Sequence, residues 1–153
     1  MMVRVMAVGI FDLLHAGHLH YVEQAKSLGD ELVVVIAHDE TVRKQKHEPV
    51  TGQELRRRMV EGLKPVDRAI GGNPPGIPIF EILEDVKPDI IALGYDQKHS
   101  IDAIRSGLDN AGFGKVEVTR VEGLSDDLDG TRKIIARILD LWPSTEGGPY
   151  EED

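Results

Sequence analysis

The stretch Val3-Arg4-Val5-Met6-Ala7-Val8-Gly9-Ile10-Phe11-Asp12-Leu13-Leu14-His15-Ala16-Gly17-His18 decides the fold of this chain. Its first six residues form an apolar run rich in valine and too short for a helix, as expected of a strand buried on both faces. Its end leads into a helical pattern, His18 to Leu28, that places Val22, Ala25 and Leu28 on one side. Two imidazoles three positions apart, separated by a glycine, therefore sit where a strand ends and a helix begins. Backbone N–H groups point outward at such a junction and the helix dipole favours negative charge, so phosphate is the natural guest. Gly17 has no Cβ and lets an anion approach the main chain. The imidazoles of His15 and His18 can then donate to phosphate oxygens, and donors already aimed at developing charge lower a barrier more than donors that must reorganise.

Outward from this stretch the same alternation recurs. Leu32 to Ala37, Ala69-Ile70, Asp89 to Leu93 and Val116 to Val121 read as further strands. Thr51-Gly52-Gln53-Glu54 has the form of a capping box opening a helix that carries Leu55, Met59 and Leu63. Helical patterns also cover Ile79 to Val86, Ile101 to Ala111 and Thr131 to Leu141. Strands alternating with helices predict parallel βαβ units in one α/β sheet, with ligands collected at the carboxyl ends of the strands. Residues 1–142 are expected to form a single domain. Residues 143–153, with two prolines, two glycines, four acids and no base, read as a flexible acidic tail.

Composition bounds the chemistry. With 153 residues, 41% hydrophobic and 29% charged, the chain has enough apolar material for one ordinary core, which excludes a disordered or fibrous protein. No run of 18 apolar residues is present, and the first residues lack a cleavable leader, so a cytoplasmic protein without a membrane partner is expected. The absence of cysteine excludes a disulfide scaffold, an iron–sulfur cluster, a thiolate zinc site and a thiol nucleophile. A net charge of -9 argues against nucleic-acid partners. That charge is unevenly spread, however. Residues 1–68 hold 10 basic and 10 acidic side chains, and Arg43 to Arg68 holds 8 basic against 4 acidic, so an anion is expected near this segment.

Other readings of the histidines are weaker. As zinc ligands, His18 and His20 at i and i+2 of a helix would point apart, and the Glu of a His-Glu-x-x-His site is missing. No nucleophile with an adjacent base suggests covalent catalysis. A P-loop or Gly-x-Gly-x-x-Gly fingerprint does not follow the first strand.

Gly-x-Phe-Asp-x-x-His-x-Gly-His, present from Gly9 to His18, resembles the signature of the cytidylyltransferase-like nucleotidyltransferases. The segments Asp39 to Lys46, Glu54 to Val60, Leu63 to Ile70 and Lys87 to Gln97 look most like the archaeal FAD synthase branch, and the resemblance spans about residues 2 to 140. It implies a Rossmann-like α/β domain, a mainly parallel five-stranded sheet flanked by helices, and transfer of AMP from ATP to FMN. His15 and His18 would bind the phosphates and stabilise charge on the α-phosphoryl group, with the main chain of Gly9, Ile10 and Phe11 beneath the nucleotide. Lys44, or Lys46, would reach over the triphosphate or the acceptor phosphate, and Arg56 matches the catalytic arginine of a Glu-x-Arg pattern. Gly94, Asp96 and Gln97 would meet the nucleotide, Tyr95 the acceptor, and Asp96 would help hold Mg²⁺ or another divalent cation.

One motif departs from the pattern. Arg120-Val121-Glu122-Gly123-Leu124-Ser125 matches, but Asp126-Asp127-Leu128-Asp129-Gly130 intervenes before Thr131. Either Ser125 or Thr131 could supply the phosphate-binding hydroxyl; Thr131 is favoured because it sits where a helix N-cap is expected. Three aspartates there would repel phosphate unless they turn away or bind metal. Bland readings hold elsewhere: Asp12 can simply brace the turn, and two of Arg56-Arg57-Arg58 belong to a solvated helix face.

The resemblance thus implies an FMN adenylyltransferase, with a homodimer as in relatives. An alternative is a CTP-dependent cytidylyltransferase acting on glycerol 3-phosphate, although Gly94-Tyr95-Asp96-Gln97 differs from the Gly-Asp-Asp-Trp of that branch. A second alternative is a non-catalytic nucleotide-binding module, against which stand both histidines, Lys44, Lys46 and Arg56.

Overall fold

The computed structural model describes residues 1–126 and 128–143. From residue 144 onward the expected acidic tail, and Asp127 of the insertion, lie outside the described residues. The elements follow in the order β1 (Arg4–Gly9), α1 (Ala16–Ser27), β2 (Glu31–Ile36), α2 (Asp39–Gln45), α3 (Gln53–Glu61), β3 (Arg68–Gly71), α4 (Phe80–Val86), β4 (Ile90–Leu93), α5 (Ile101–Asn110), β5 (Glu117–Arg120) and α6 (Thr131–Leu141). The five strands form one sheet in the order β3-β2-β1-β4-β5, and every pairing is parallel. The α/β alternation expected from the sequence is therefore the fold.

Alternation along the central strands divides the core in two. Val5, Ala7, Leu32, Val34, Ile36 and Ala92 face one way, where α1 and α3 cover them with Val22, Ala25 and Val60. Met6, Val33, Val35, Ile91 and Leu93 face the other, where α4 and α5 contribute Ile82, Leu83, Val86 and Leu108. Both faces are filled, which is why β1 and β2 read as continuous apolar runs. Each buried Val, Leu or Ile contributes about 1.5–3 kcal/mol.

Chain order places β1 between β2 and β4, so the connections leaving β1 and entering β4 diverge. The crevice outside the carboxyl ends of β1 and β4 is the switch point where sheets of this kind collect ligands. Backbone pairing between the two strands ends at Ala7 and Ala92. Beyond it, side chains take over: Tyr21 donates its hydroxyl to the Ala92 carbonyl at 2.7 Å, and Gln97 Nε2 donates to the Val8 carbonyl at 2.7 Å. Burial keeps the Tyr21 phenol protonated, as a donor must be.

Two local expectations are corrected and one element is added. The segment after β2, to which the sequence reading assigned no element, forms the short helix α2. His38 Nδ1 accepts from the Glu40 amide, and acids in its first turn with bases in its last match the helix dipole. The box Thr51-Gly52-Gln53-Glu54 does not cap α3 through Thr51; Gly52 is the N-cap and makes no side-chain bond. Thr131 is the first residue of α6 and Gly130 its N-cap. Among the eleven residues of α6 none is buried, and Ile135, Ile138, Leu139 and Leu141 are all exposed. No helix among the described residues is long and apolar enough to cross a membrane.

Candidate active site

The β1–α1 turn is shaped by a backbone that most residues avoid. Phe11 and Leu13 both have positive φ, +56° and +52°. Phe11 folds back over the end of β1, so a Cβ on Gly9 would lie 2.6 Å from its ring; only glycine leaves room there. The buried ring packs against Tyr21 and against His18, with centroids 6.1 and 5.2 Å apart. Phe11 thus serves as a floor beneath the histidine.

His15 and His18 cap α1 reciprocally. His15 Nδ1 accepts from the Gly17 amide at 3.0 Å, while the His15 amide donates to His18 Nδ1 at 3.3 Å. The rings stack with centroids 3.7 Å apart. Since each Nδ1 is an acceptor, each neutral ring carries its proton on Nε2. Two N–H donors are therefore available side by side at a helix N-terminus.

Electrostatics keep both rings neutral. Burial lowers the pKa of His15, with partial opposition from the carboxylates of Asp129 and Asp96. Burial, then repulsion from His15 and Lys46, pulls that of His18 down to about 3 despite the attraction of Asp12. Between that value and the ordinary 6.5, the unfolded chain binds a proton that folded His18 refuses. Stability from this group is complete above pH 6.5 and declines as pH falls, by at most about 1.4 kcal/mol per pH unit. We expect denaturant midpoints to drop between pH 6.5 and 4.5, and His18→Asn to flatten that decline. Equal slopes for the two proteins would remove the assignment.

Beneath the turn lies a network that ties three loops together. Asp12 is buried and accepts from the amides of Val50 and Thr51 at 2.6 and 3.1 Å and from the Thr51 hydroxyl at 2.7 Å. Burial opposes its ionisation, but the Thr51 and Val50 donors and the nearby Arg56 charge together hold its pKa below the usual value. Arg56 is 1% exposed. Its Nε donates to Thr51 O, its Nη1 to Ile10 O, and its Nη2 to Ala37 O and Asp39 Oδ1, all within 2.6–2.9 Å. The guanidinium expected to meet phosphate is committed to protein acceptors, three loop carbonyls and one carboxylate. Arg56 is a positioning residue.

The remaining expected residues divide similarly. Lys46, at the end of α2, is close enough to His18 to disfavour its charge, whereas Lys44 lies in the exposed last turn of α2. Asp96 is exposed and acts on His15. Gln97 is a clamp: its Oε1 accepts from the Gly94 amide while its Nε2 holds Val8. Gly94 also gives its carbonyl to Arg120, which donates to Gln97 O and His99 O as well. Ser125 is exposed, and the Thr131 hydroxyl donates to the Asp12 carbonyl at 3.1 Å. A Cβ at Gly17 would lie 2.2 Å from the Asp129 carbonyl, so the closest approach to that glycine is made by the chain itself. The Asp129 carboxylate pairs with Lys133 at 2.5 Å, which offsets part of the acid in the insertion. Sequence reasoning missed Gln53, whose amide donates to Ile36 O and Gly72 O and joins the ends of β2 and β3. Its only signal was a polar residue opening a helix.

A helix N-terminus carrying two stacked histidines at a parallel-sheet switch point presents the N–H donors and the dipole that suit an anion. The profile of the cytidylyltransferase-like family matches residues 6–145. The chain belongs to the cytidylyltransferase-like family. The FAD synthase of Aciduliprofundum boonei is 51% identical over 140 residues, covering 91% of this chain and 92% of that one. That of Methanobrevibacter ruminantium is 48% identical over 154 residues, covering 98% and 96%. Among solved structures, a protein from Thermoplasma volcanium described as lipopolysaccharide core biosynthesis protein superposes with a TM-score of 0.77 at 42% identity, covering 82% of this chain and all of that one. Pantothenate synthetase from Thermus thermophilus, at 16% identity and a TM-score of 0.62, covering 88% of this chain and 61% of that one, shares the fold alone.

Proposed function

We propose that this chain is an FAD synthase that transfers AMP from ATP to FMN. A terminal phosphate oxygen of FMN attacks the α-phosphorus of ATP in line. The new P–O bond forms as the bond to the bridging oxygen breaks, and pyrophosphate leaves with that electron pair. The observation that carries nucleotidyl transfer is the stacked His15/His18 pair with both Nε2 protons free to donate. They would stabilise charge on the α-phosphoryl oxygens as it builds. Lys46 supplies a compact cation beside them, and Lys44 one further out. The choice of ATP and FMN is supported by the FAD synthases to which the chain is similar over almost its whole length.

Asp96 suits a divalent cation: its carboxylate is exposed beside His15, and Mg²⁺ is commonly held by one or two carboxylates plus substrate phosphates. Bound there, Mg²⁺ would neutralise triphosphate charge. Ser125, which is exposed, is the hydroxyl for the nucleotide, since Thr131 donates its proton to the Asp12 carbonyl, and the backbone of Gly9, Ile10, Phe11 and Gly94 forms the nucleotide's seat. The protein's own contribution is positioning and fixed dipoles.

The deciding experiment offers ATP or CTP with FMN or glycerol 3-phosphate and follows pyrophosphate and flavin products. ATP with FMN is expected to give FAD and pyrophosphate. Turnover only with CTP and glycerol 3-phosphate would shift the reading to a cytidylyltransferase; none with any pair would leave a binding module. A cytoplasmic homodimer completes the proposal. The uncovered apolar residues of α6 support a second copy, and sedimentation at assay concentration is expected to give a two-chain mass.

A further inference from the structure

The loop after β4 carries an aromatic ring that the core does not use. Tyr95 is 51% exposed although it follows directly on buried Leu93 and Gly94. Its ring lies flat against Gly123: a Cβ there would fall 2.5, 2.6 and 2.8 Å from Cδ1, Cγ and Cδ2. Three ring atoms at nearly equal distance from one point mean that the ring is seated on the glycine backbone, leaving its outer face open. Any other residue at 123 would push it off.

The seat is rigid. Arg120, at the end of β5, grips the carbonyls of Gly94, Gln97 and His99, and Gln97 fastens the same loop to β1. The ring therefore projects from a braced loop at the β1/β4 crevice, one residue from the carboxylate that acts on His15. Other described aromatics are engaged elsewhere: Phe11 and Tyr21 pack together in the turn, and Phe80 and Phe113 pair with each other on the second core face.

We infer that the Tyr95–Gly123 pair is a pre-built stacking platform for the isoalloxazine ring of the flavin acceptor. This inference rests on the FAD synthase reading. A half-exposed, immobilised aromatic loses little freedom when a flat ring settles on it. The phenol is electron-rich and the isoalloxazine electron-poor, which makes them better partners than phenol and adenine. The open outer face also suits a three-ring system that overhangs its support. Glycerol 3-phosphate has no ring to place there, so the platform is a determinant of acceptor specificity.

The test titrates FMN into the full-length protein and follows flavin fluorescence, with ATP binding measured in parallel by calorimetry. The unsubstituted chain and Tyr95→Phe are expected to bind FMN with similar affinity and quench its emission. Tyr95→Ser is expected to weaken FMN about tenfold, within the range for one lost stacking contact, and to leave bound flavin brighter, with ATP affinity unchanged. Gly123→Ala, which keeps the phenol and displaces it, is expected to weaken FMN severalfold at an unchanged melting temperature. Equal FMN affinity and quenching in Tyr95→Ser overturns the platform while leaving FAD synthesis intact, as does a loss confined to ATP. Failure of the unsubstituted chain to bind FMN at all overturns the acceptor reading itself, and the platform with it.

Discussion

His18→Asn is expected to lower turnover about a hundredfold or more, the usual cost of removing one preorganised donor to a developing oxyanion. The choice of asparagine matters. Its amide oxygen occupies the place of Nδ1 and can still accept from the His15 amide, so the cap on α1 survives. Nothing then stands where Nε2 was. His18→Gln reverses the arrangement, carrying an amide N–H near the Nε2 position, and is expected to recover part of the lost rate. The rate ordering, original above glutamine above asparagine, separates donation to phosphate from helix capping. Steady-state kinetics with ATP saturating, beside a melting curve for each variant, provide the check. Near-normal turnover of folded His18→Asn would sink the assignment. The loss should appear in kcat more than in KM, because the donor acts most strongly on the transition state.

Arg56→Ala is expected to destabilise the fold by about 3–5 kcal/mol, the range for breaking a buried ion pair by removing one partner. The substitution leaves the carbonyls of Thr51, Ile10 and Ala37 without their guanidinium donor and Asp39 without its counter-charge. Ile10 belongs to the turn that carries the histidines, and Thr51 in turn holds Asp12. Loss of stability should therefore be accompanied by loss of activity through misplacement of His15 and His18. Arg56→Lys discriminates between the two roles. A lysine retains charge but cannot span four acceptors in a fork, so it is expected to fail almost as badly in denaturant titration. A lysine variant of full stability and much reduced activity would return Arg56 to the phosphates.

These two residues differ in how far the sequence alone places them. His15 and His18 were legible because their role is local: strand, turn, glycine and helix follow within ten residues, and the capping bonds span only two or three positions. Arg56 was legible as special and misread as to its task. Its position in a Glu-x-Arg pattern within a basic segment pointed to an anion, whereas its partners lie 5 to 46 residues away and are mostly carbonyl oxygens. Backbone carbonyls carry no residue code, so no pattern of side chains announces them. Thr51 was misread for a related reason. A capping box is a local pattern, and here the hydroxyl is drawn off by Asp12, 39 residues earlier. Burial decided this competition, since an ionised carboxylate under the loop must be supplied with donors.

The charge division follows the same line. Eight basic residues between Arg43 and Arg68 suggested an anion near this segment. In the fold they separate: Arg56 is interior, Arg43 and Arg57 pair with neighbouring glutamates, and Lys46 is the one whose charge is felt at His18.

By itself the sequence determined the parallel α/β fold and the strand-to-helix turn that brings His15 and His18 together, because both follow from short-range periodicity and from a turn read within one segment. Only the tertiary structure decided which polar side chains face a ligand and which hold the site in place. That choice depends on the acceptors and donors that distant loops bring to the carboxyl ends of β1 and β4, and on the cost of leaving any of them buried without a partner.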